Sequence, residues 1–275
     1  MLTVLGELVL PAGGQVWTGT VVASLGALGF GEGNARQAVA RLADDGIVES
    51  ARLGRRTRWA LTPSGSALLS EGTDRIYRFA TQELVWDGRW LVVVCPVAED
   101  ERAKRARLRS RLGFLGFGFL HAGLAVSPHP EREGLVEDVL RDLDVADAVV
   151  WRSELGGSTA ADEVVRRAWD VAELDAAYRT LLTDLGDGGP VGDREAFVRL
   201  VRAVHAWRRF PSIDPELPAE LLAADWPGSE AKRRFDERRS AWLEPARAWF
   251  AAVEAGFDDP AASPDEFDNL STDRP

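Results

Sequence analysis

The sequence predicts an α+β protein in three parts: an N-terminal winged helix-turn-helix, a central ferredoxin-like domain and a C-terminal, mainly helical domain. Three observations carry this reading. Between Asn34 and Leu61 a helical apolar period gives way, across Asp45-Gly46, to two extended runs around an arginine-rich turn. Between Leu91 and Trp151 the patterns run strand, helix, strand, strand, helix, strand, the order of the ferredoxin-like fold. After Ser153 the periodicity is almost wholly helical. The expected boundaries are 1–72, 73–152 and 153–256, with an acidic flexible tail over 257–275.

In the first part, Leu2, Leu5, Leu8 and Val9 suit a first helix that Pro11, Gly13 and Gly14 end. Trp17-Thr18-Gly19-Thr20 offers a second start, with Val21, Val22, Leu25 and Leu28 as a buried face, and Gly29-Phe30-Gly31 makes a turn. In the next helix Ala35, Ala38, Val39 and Leu42 share one face, while Asn34, Arg36, Gln37 and Arg41 point elsewhere. Val48 to Arg52 and Thr57 to Leu61 then form a hairpin whose tip carries Arg55 and Arg56. Thr62 and Pro63 open a further helix as cap and first residue.

This arrangement suits DNA. A helix fits the major groove, where Asn and Gln each make two hydrogen bonds to adenine and Arg does the same to guanine. Asn34, Arg36, Gln37 and Arg41 are the candidates for base reading; Arg52, Arg55, Arg56 and Arg58 suit phosphates or the minor groove. From Asn34 to Ala60 six arginines stand against Asp44, Asp45 and Glu49, a local balance of +3 in a chain of net charge -11. The same pattern would also describe an ordinary surface helix and hairpin with solvated arginines.

The second part starts at the turn Trp86-Asp87-Gly88-Arg89-Trp90 and the apolar run Leu91 to Cys95, ended by Pro96. An arginine-rich helix over 100–112 closes at Gly113; extended segments at 117–120 and 123–126, a helix over 133–140 and a strand over 146–151 follow. Arg102, Lys104, Arg105, Arg107, Arg109 and Arg111 read either as a solvated face paired with nearby acids or as a second phosphate surface. In the third part, helical segments are expected over 162–174, 174–185, 194–207, 219–224 and 229–254.

Composition narrows the function classes. No apolar run approaches the roughly 20 residues of a membrane span, and the N-terminus lacks signal-peptide features, so a cytoplasmic protein with no membrane partner is expected. Cys95 is the single cysteine, and His121, His129 and His205 make no spaced zinc set, so neither metal nor another cofactor is expected. Residues 151–275 carry sixteen basic and twenty-five acidic side chains, a net of -9 that would repel DNA and confine its contact to the N-terminal patch.

In order and wording the sequence resembles the PaaX family of bacterial repressors of phenylacetate catabolism, over nearly the whole chain. The resemblance rests on Gly54-Arg55-Arg56-Thr57-Arg58-Trp59-Ala60-Leu61-Thr62, Arg75-Ile76-Tyr77, Trp86-Asp87-Gly88-Arg89-Trp90 and Leu115-Gly116-Phe117-Gly118. It rests most specifically on Asp214-Pro215-Glu216-Leu217-Pro218, Leu221-Leu222 and Trp226-Pro227-Gly228. The resemblance implies a dimeric DNA-binding repressor, not an enzyme, released from operator DNA by an acyl-coenzyme A thioester, usually phenylacetyl-CoA. His205, Trp207, Arg208, Arg209 and Asp214 are the candidates for effector binding, because arginine forks hold phosphates and Trp stacks on rings. Large aromatics at helical spacing are also ordinary core residues, and a lone His is often a satisfied donor. The central domain is similar to the small nuclease subunit of CRISPR adaptation machinery, which keeps a metal-dependent nuclease as an alternative. That chemistry needs a carboxylate at the end of the first strand, whereas here Val94-Cys95-Pro96 precedes any acid until Glu99. An enzyme acting on acyl-CoA is the other alternative; no nucleophile elbow or phosphate loop supports it.

Overall fold

The fold is that of a computed structural model, which describes residues 1–81, 85–96, 101–157, 159–189 and 191–258. The expected acidic tail beyond Asp258, and Glu99, lie outside these residues. The chain divides into two compact units, one made of Met1–Tyr77, Leu185–Trp207 and the chain from Arg234 onward, the other of Arg78–Asp184 and Arg208–Arg233.

In the first unit, α1 (Leu2–Val4) runs into a π-helical turn, Leu5–Val9, and together they bury Val4, Leu5, Leu8 and Val9. A short strand, β1 (Gln15–Trp17), leads directly into α2 (Thr18–Ala27), and a turn at Leu28–Gly31 into α3 (Glu32–Asp44). The apolar backs of these helices, Val21 and Leu25 on α2 and Ala35, Val39 and Leu42 on α3, are buried. The hairpin follows as β2 (Val48–Leu53) and β3 (Arg56–Leu61), paired from Val48↔Leu61 to Leu53↔Arg56. Only Gly54 and Arg55 form its tip, shorter than the four residues expected, with Gly54 at φ +62°, the conformation a two-residue turn requires at its first position. β1 completes an antiparallel sheet of order β1-β3-β2 by pairing Gln15–Trp17 with Arg58–Ala60. It was not expected, since three residues hold too little alternation to read.

α4 (Pro63–Arg78) begins as expected: the Thr62 hydroxyl accepts the Gly65 N–H at 3.0 Å and Pro63 takes the first helical position. Its end joins α9 (Asp193–Trp207) and α11 (Gly228–Asp258, its part from Arg234) in an aromatic stack, Phe235 lying 4.8 Å from Trp207 and 6.4 Å from Tyr77 between ring centroids. Beside it the Tyr77 hydroxyl donates to the buried Glu7, which also takes Arg239 at 3.1 Å, while the Arg239 guanidinium covers the Tyr77 ring at 4.1 Å. Burial of the phenol, ahead of the Glu7 charge, pushes the Tyr77 pKa upward, so it stays a donor.

In the second unit, β4 (Trp90–Val94), β5 (Gly118–His121), β6 (Leu124–Ser127) and β7 (Val149–Ser153) form an antiparallel sheet of order β5-β6-β4-β7. α5 (Arg102–Phe114) and α6 (Glu133–Asp142) cover one face, burying Leu91, Val93, Leu108, Leu112 and Val136 together. Trp90 and Val92 point the other way, into a cluster with Val126, Val164, Val165 and Leu217. With both faces covered, β4 reads as an unbroken apolar run.

Several expected bounds move. Gly113 stays helical; α5 ends at Phe114, and Gly116, at φ +82°, turns the chain away just beyond it. The helices expected to meet at Leu174 are α7 (Ala161–Ala168) and α8 (Val171–Leu185), because Trp169 is extended and Asp170 caps α8 by accepting the Glu173 N–H at 2.9 Å. The helix expected over 219–224 is one 3₁₀ turn, Ala219–Leu221, since Leu222 is already extended. A four-residue α10 (Phe210–Ile213) precedes it, and α11 extends four residues past Glu254, with Pro245 inside it. Among the described residues no helix is long and apolar enough to cross a membrane.

Candidate nucleic-acid interface

α3 presents Asn34, Arg36, Gln37 and Arg41 to solvent, above the buried Ala35, Val39 and Leu42. The four polar residues therefore share an accessible surface, in reach of a groove. Arg36 is held by Glu32 one turn back, at 2.7 Å, an exposed pair that another anion can displace at little cost.

The hairpin arginines do not share one face of the sheet. Side chains alternate across a strand, and Arg52 pairs with Thr57 while Arg56 pairs with Leu53 and Arg58 with Ala51. Arg52 thus lies on one face of the sheet and Arg56 and Arg58 on the other. Arg52 and Arg55 are exposed. Arg56 donates through Nη1 to the Phe257 carbonyl at 2.5 Å, and Arg58 lies 3.8 Å from Glu254 and 5.1 Å from the centre of the Trp17 ring. Both are turned toward the last turn of α11 within the first unit. Glu254 also accepts the Trp17 backbone N–H at 3.2 Å, and Asp258 the Trp17 indole N–H at 2.8 Å. Burial, the largest cause, raises the Glu254 pKa above the usual carboxylate value. Sequence reasoning passed over Trp17, Glu254, Phe257 and Asp258 because the contacts join residues more than 200 positions apart.

The effector candidates divide between the two units. Trp207 is a core residue of the first unit, without solvent exposure, and its indole N–H donates to the Ile76 carbonyl at 3.1 Å. His205 is exposed, on α9. Arg208, Arg209 and Asp214 belong to the second unit, where Arg209 lies 5.9 Å from the Phe210 ring centre. Asp214 accepts the Tyr178 hydroxyl and the Glu216 N–H, and burial raises its pKa. Of the basic helix α5, Lys104 donates to the Asp144 carbonyl at 2.6 Å and Arg111 pairs with Asp142 at 3.0 Å. Arg105 and Arg109 line a shallow pocket of about 10 Å³, room for one water, with Cys95, Leu108 and Phe119, and Arg109 lies 4.3 Å from the Phe119 ring centre.

Two of the sequence blocks singled out above meet in the second unit. Arg132 donates to the Leu115 carbonyl at 2.9 Å and to Glu216 at 2.7 Å, and His129 Nε2 lies 3.0 Å from the Pro215 carbonyl. A Cβ on Gly116 would stand 2.8 Å from that Pro215 oxygen, so the block Leu115-Gly116 and the block Asp214-Pro215-Glu216 fit only through a glycine. Burial first, then the Arg132 charge, lowers the His129 pKa despite Glu131 at 3.4 Å; the neutral ring donates to Pro215.

Models of three PaaX domains match in order: the PaaX-like protein at 1–65, the PaaX protein central Cas2-like domain at 83–165 and the PaaX-like protein C-terminal domain at 169–252. The transcriptional repressor PaaX of Escherichia coli (strain K12) is 31% identical over 240 residues, 83% of this chain and 74% of that protein. The chain belongs to the PaaX family. A solved structure, the uncharacterized protein Rv0674 from Mycobacterium tuberculosis, shares the fold with a TM-score of 0.58 at 21% identity, over 85% of this chain and 89% of that one. The junction of Gly116, Arg132 and Asp214–Glu216 accordingly joins the segments that match the central and C-terminal PaaX models.

Proposed function

We propose that the chain is a cytoplasmic DNA-binding transcriptional repressor, with residues 1–72 as a winged helix-turn-helix, 73–152 as a ferredoxin-like scaffold and 153–256 as a helical effector domain. The carrying observation is the solvent-facing set Asn34, Arg36, Gln37 and Arg41 on α3, set on a buried apolar back beside an arginine hairpin. Kinship with a repressor supports it. In this reading α3 enters the major groove, Gln37 and Arg41 read bases, and Arg52 and Arg55 meet phosphate. A homodimer places two reading helices on half-sites about one helical turn, or a multiple, apart.

The effector is an aromatic or related acyl-CoA that lowers DNA affinity without being consumed, and Arg208 and Arg209 of the effector domain are the first candidates to meet its phosphates. Arginine forks suit the phosphates of a polyanionic coenzyme A. Trp207 does not stack on the ligand, because it is buried, stacked on Phe235 and hydrogen-bonded.

A gel-shift titration on the DNA upstream of the protein's own gene tests the reading. Binding is expected with the native chain, lost or redirected in Gln37→Ala/Arg41→Ala, and relieved by phenylacetyl-CoA but not by free phenylacetate. A native chain that binds its upstream DNA no better than random DNA refutes the repressor. No response to any acyl-CoA refutes the effector class alone.

A further inference from the structure

The last turn of α11 occupies a place that, in a helix-turn-helix bound to DNA, belongs to the phosphate backbone. The first helix of such a pair crosses the backbone, and helix N-termini bind anions through their free N–H groups and positive dipole end. α2 is that helix. Its N-cap residue, Trp17, supplies no side-chain cap. The anion at this end is instead Glu254, reached from 237 residues away, with both oxygens 3.2 Å from the Trp17 N–H. Phe257 lies so close to Gly19 that a Cβ there would stand 2.3 Å from the ring, so the seat is shaped for this turn.

The seat also holds more donors than the carboxylate satisfies. Thr20 is fully buried and its hydroxyl is near enough to Glu254 to lower that residue's pKa, yet it reaches no full hydrogen bond. Arg58 Nε is buried and equally unsatisfied, with the nearest Glu254 oxygen 3.8 Å from its Nη2. Two carboxylate oxygens are shared among a backbone N–H, a hydroxyl and a guanidinium. A phosphodiester in the backbone of DNA offers a full negative charge and further oxygens, and it would not bring Asp258 close to Glu254.

We propose that the N-terminus of α2, with Thr20, Arg56 and Arg58, is a second DNA-phosphate site, and that Glu254, Phe257 and Asp258 occupy it until DNA displaces them. The inference rests on the DNA-binding reading above. It makes the end of α11 a competitor of DNA and gives the C-terminal helix a direct hold on affinity.

The test uses the full chain, fluorescent random-sequence duplex and its own upstream duplex, over a range of salt. Glu254→Gln/Asp258→Asn is expected to bind both duplexes about tenfold tighter at the native chain's salt slope, because DNA lifts the turn in both proteins and the variant only weakens the competitor. Adding Arg56→Ala/Arg58→Ala should erase the gain. Gly19→Cys/Phe257→Cys, which can tether the turn to α2 by a disulfide, should bind more weakly oxidised than reduced. Its two redox states are compared within one protein, which separates the effect from any loss of folding. Unchanged or weaker binding by the carboxamide variant, with equal binding by the oxidised and reduced tether, overturns the inference and leaves the repressor reading standing. Failure of every form to bind any duplex overturns both.

Discussion

Trp207 separates two accounts of the C-terminal residues, because a ring that stacks on a ligand and a ring that fills a core respond differently to truncation. In the structure it has no exposed surface, stacks at 4.8 Å on Phe235 and donates to the Ile76 carbonyl at 3.1 Å. Trp207→Phe removes that hydrogen bond and leaves the carbonyl short of a donor, about 1 kcal/mol. The smaller ring also buries roughly 50 Å² less, about another 1 kcal/mol at ~25 cal/mol per Å². The expected loss is therefore about 2 kcal/mol, and Trp207→Ala should reach about 3–5 kcal/mol. Urea denaturation followed by circular dichroism reads this as a lower midpoint at constant slope. A Trp207→Phe variant that loses less than about 0.5 kcal/mol, the range of surface changes, refutes the packing argument.

Arg55→Ala should weaken binding to every duplex and flatten its salt dependence by about one unit per protomer, whereas Gln37→Ala should alter sequence preference at unchanged slope; competition binding at several salt concentrations distinguishes them. Gly116→Ala should cost more than about 2 kcal/mol, combining a left-handed backbone penalty of about 1–2 kcal/mol with the approach to the Pro215 carbonyl, while Gly134→Ala, in open space on α6, should cost nothing; thermal melts compare the two. His129, a base whose folded pKa is lowered, contributes stability that is complete above its ordinary value of 6.5 and lost as pH falls below it; His129→Gln should flatten that fall, and a parallel fall in both proteins would refute the role. Asp214, an acid whose folded pKa is raised, favours the fold below 3.8 and costs stability as pH rises through its folded pKa; Asp214→Asn should therefore gain on the native protein as pH rises above 3.8 in denaturant titrations.

Local chemistry made the first half of the fold readable. Thr62 and Pro63 announced α4, Asp45-Gly46 the end of α3, and the run Leu91 to Cys95 a strand buried on both sides, since each signal needs only its neighbours. What escaped depends on distant partners. β1 exists because Arg58–Ala60 offers a free edge, and α11 reaches Asp258 because its last turn has Trp17, Gly19 and Arg56 to rest against. The candidate site divides in the same way. The α3 face follows from a 3.6-residue period, so Asn34, Arg36, Gln37 and Arg41 are exposed as expected. The hairpin set is divided because strand alternation splits it between two faces and α11 holds two of its members. Trp207 and Asp214 lie on either side of Arg208 and Arg209 in sequence, yet one is a core ring of the first unit and the other a hydrogen-bond acceptor for Tyr178 in the second.

Charge counted along the chain therefore misstates the charge that DNA would meet. The stretch 34–60 sums to +3, and 151–275 to -9, as though cationic and anionic parts were separate bodies. In the first unit they interlock: Glu254 and Asp258 of the acidic part lie against the face of Arg56 and Arg58, and Arg36 is paired with Glu32. The cations left exposed and outside these pairings on α3 and the hairpin are Arg41, Arg52 and Arg55. Three phosphate contacts per protomer give a salt slope near -3, or about -5 for a dimer on two half-sites, and displacement of the α11 turn would move the dimer toward about -9. A slope that steep in the native chain would mean that DNA itself lifts the turn during binding, whereas the shallow slope means that the complex forms with the turn in place.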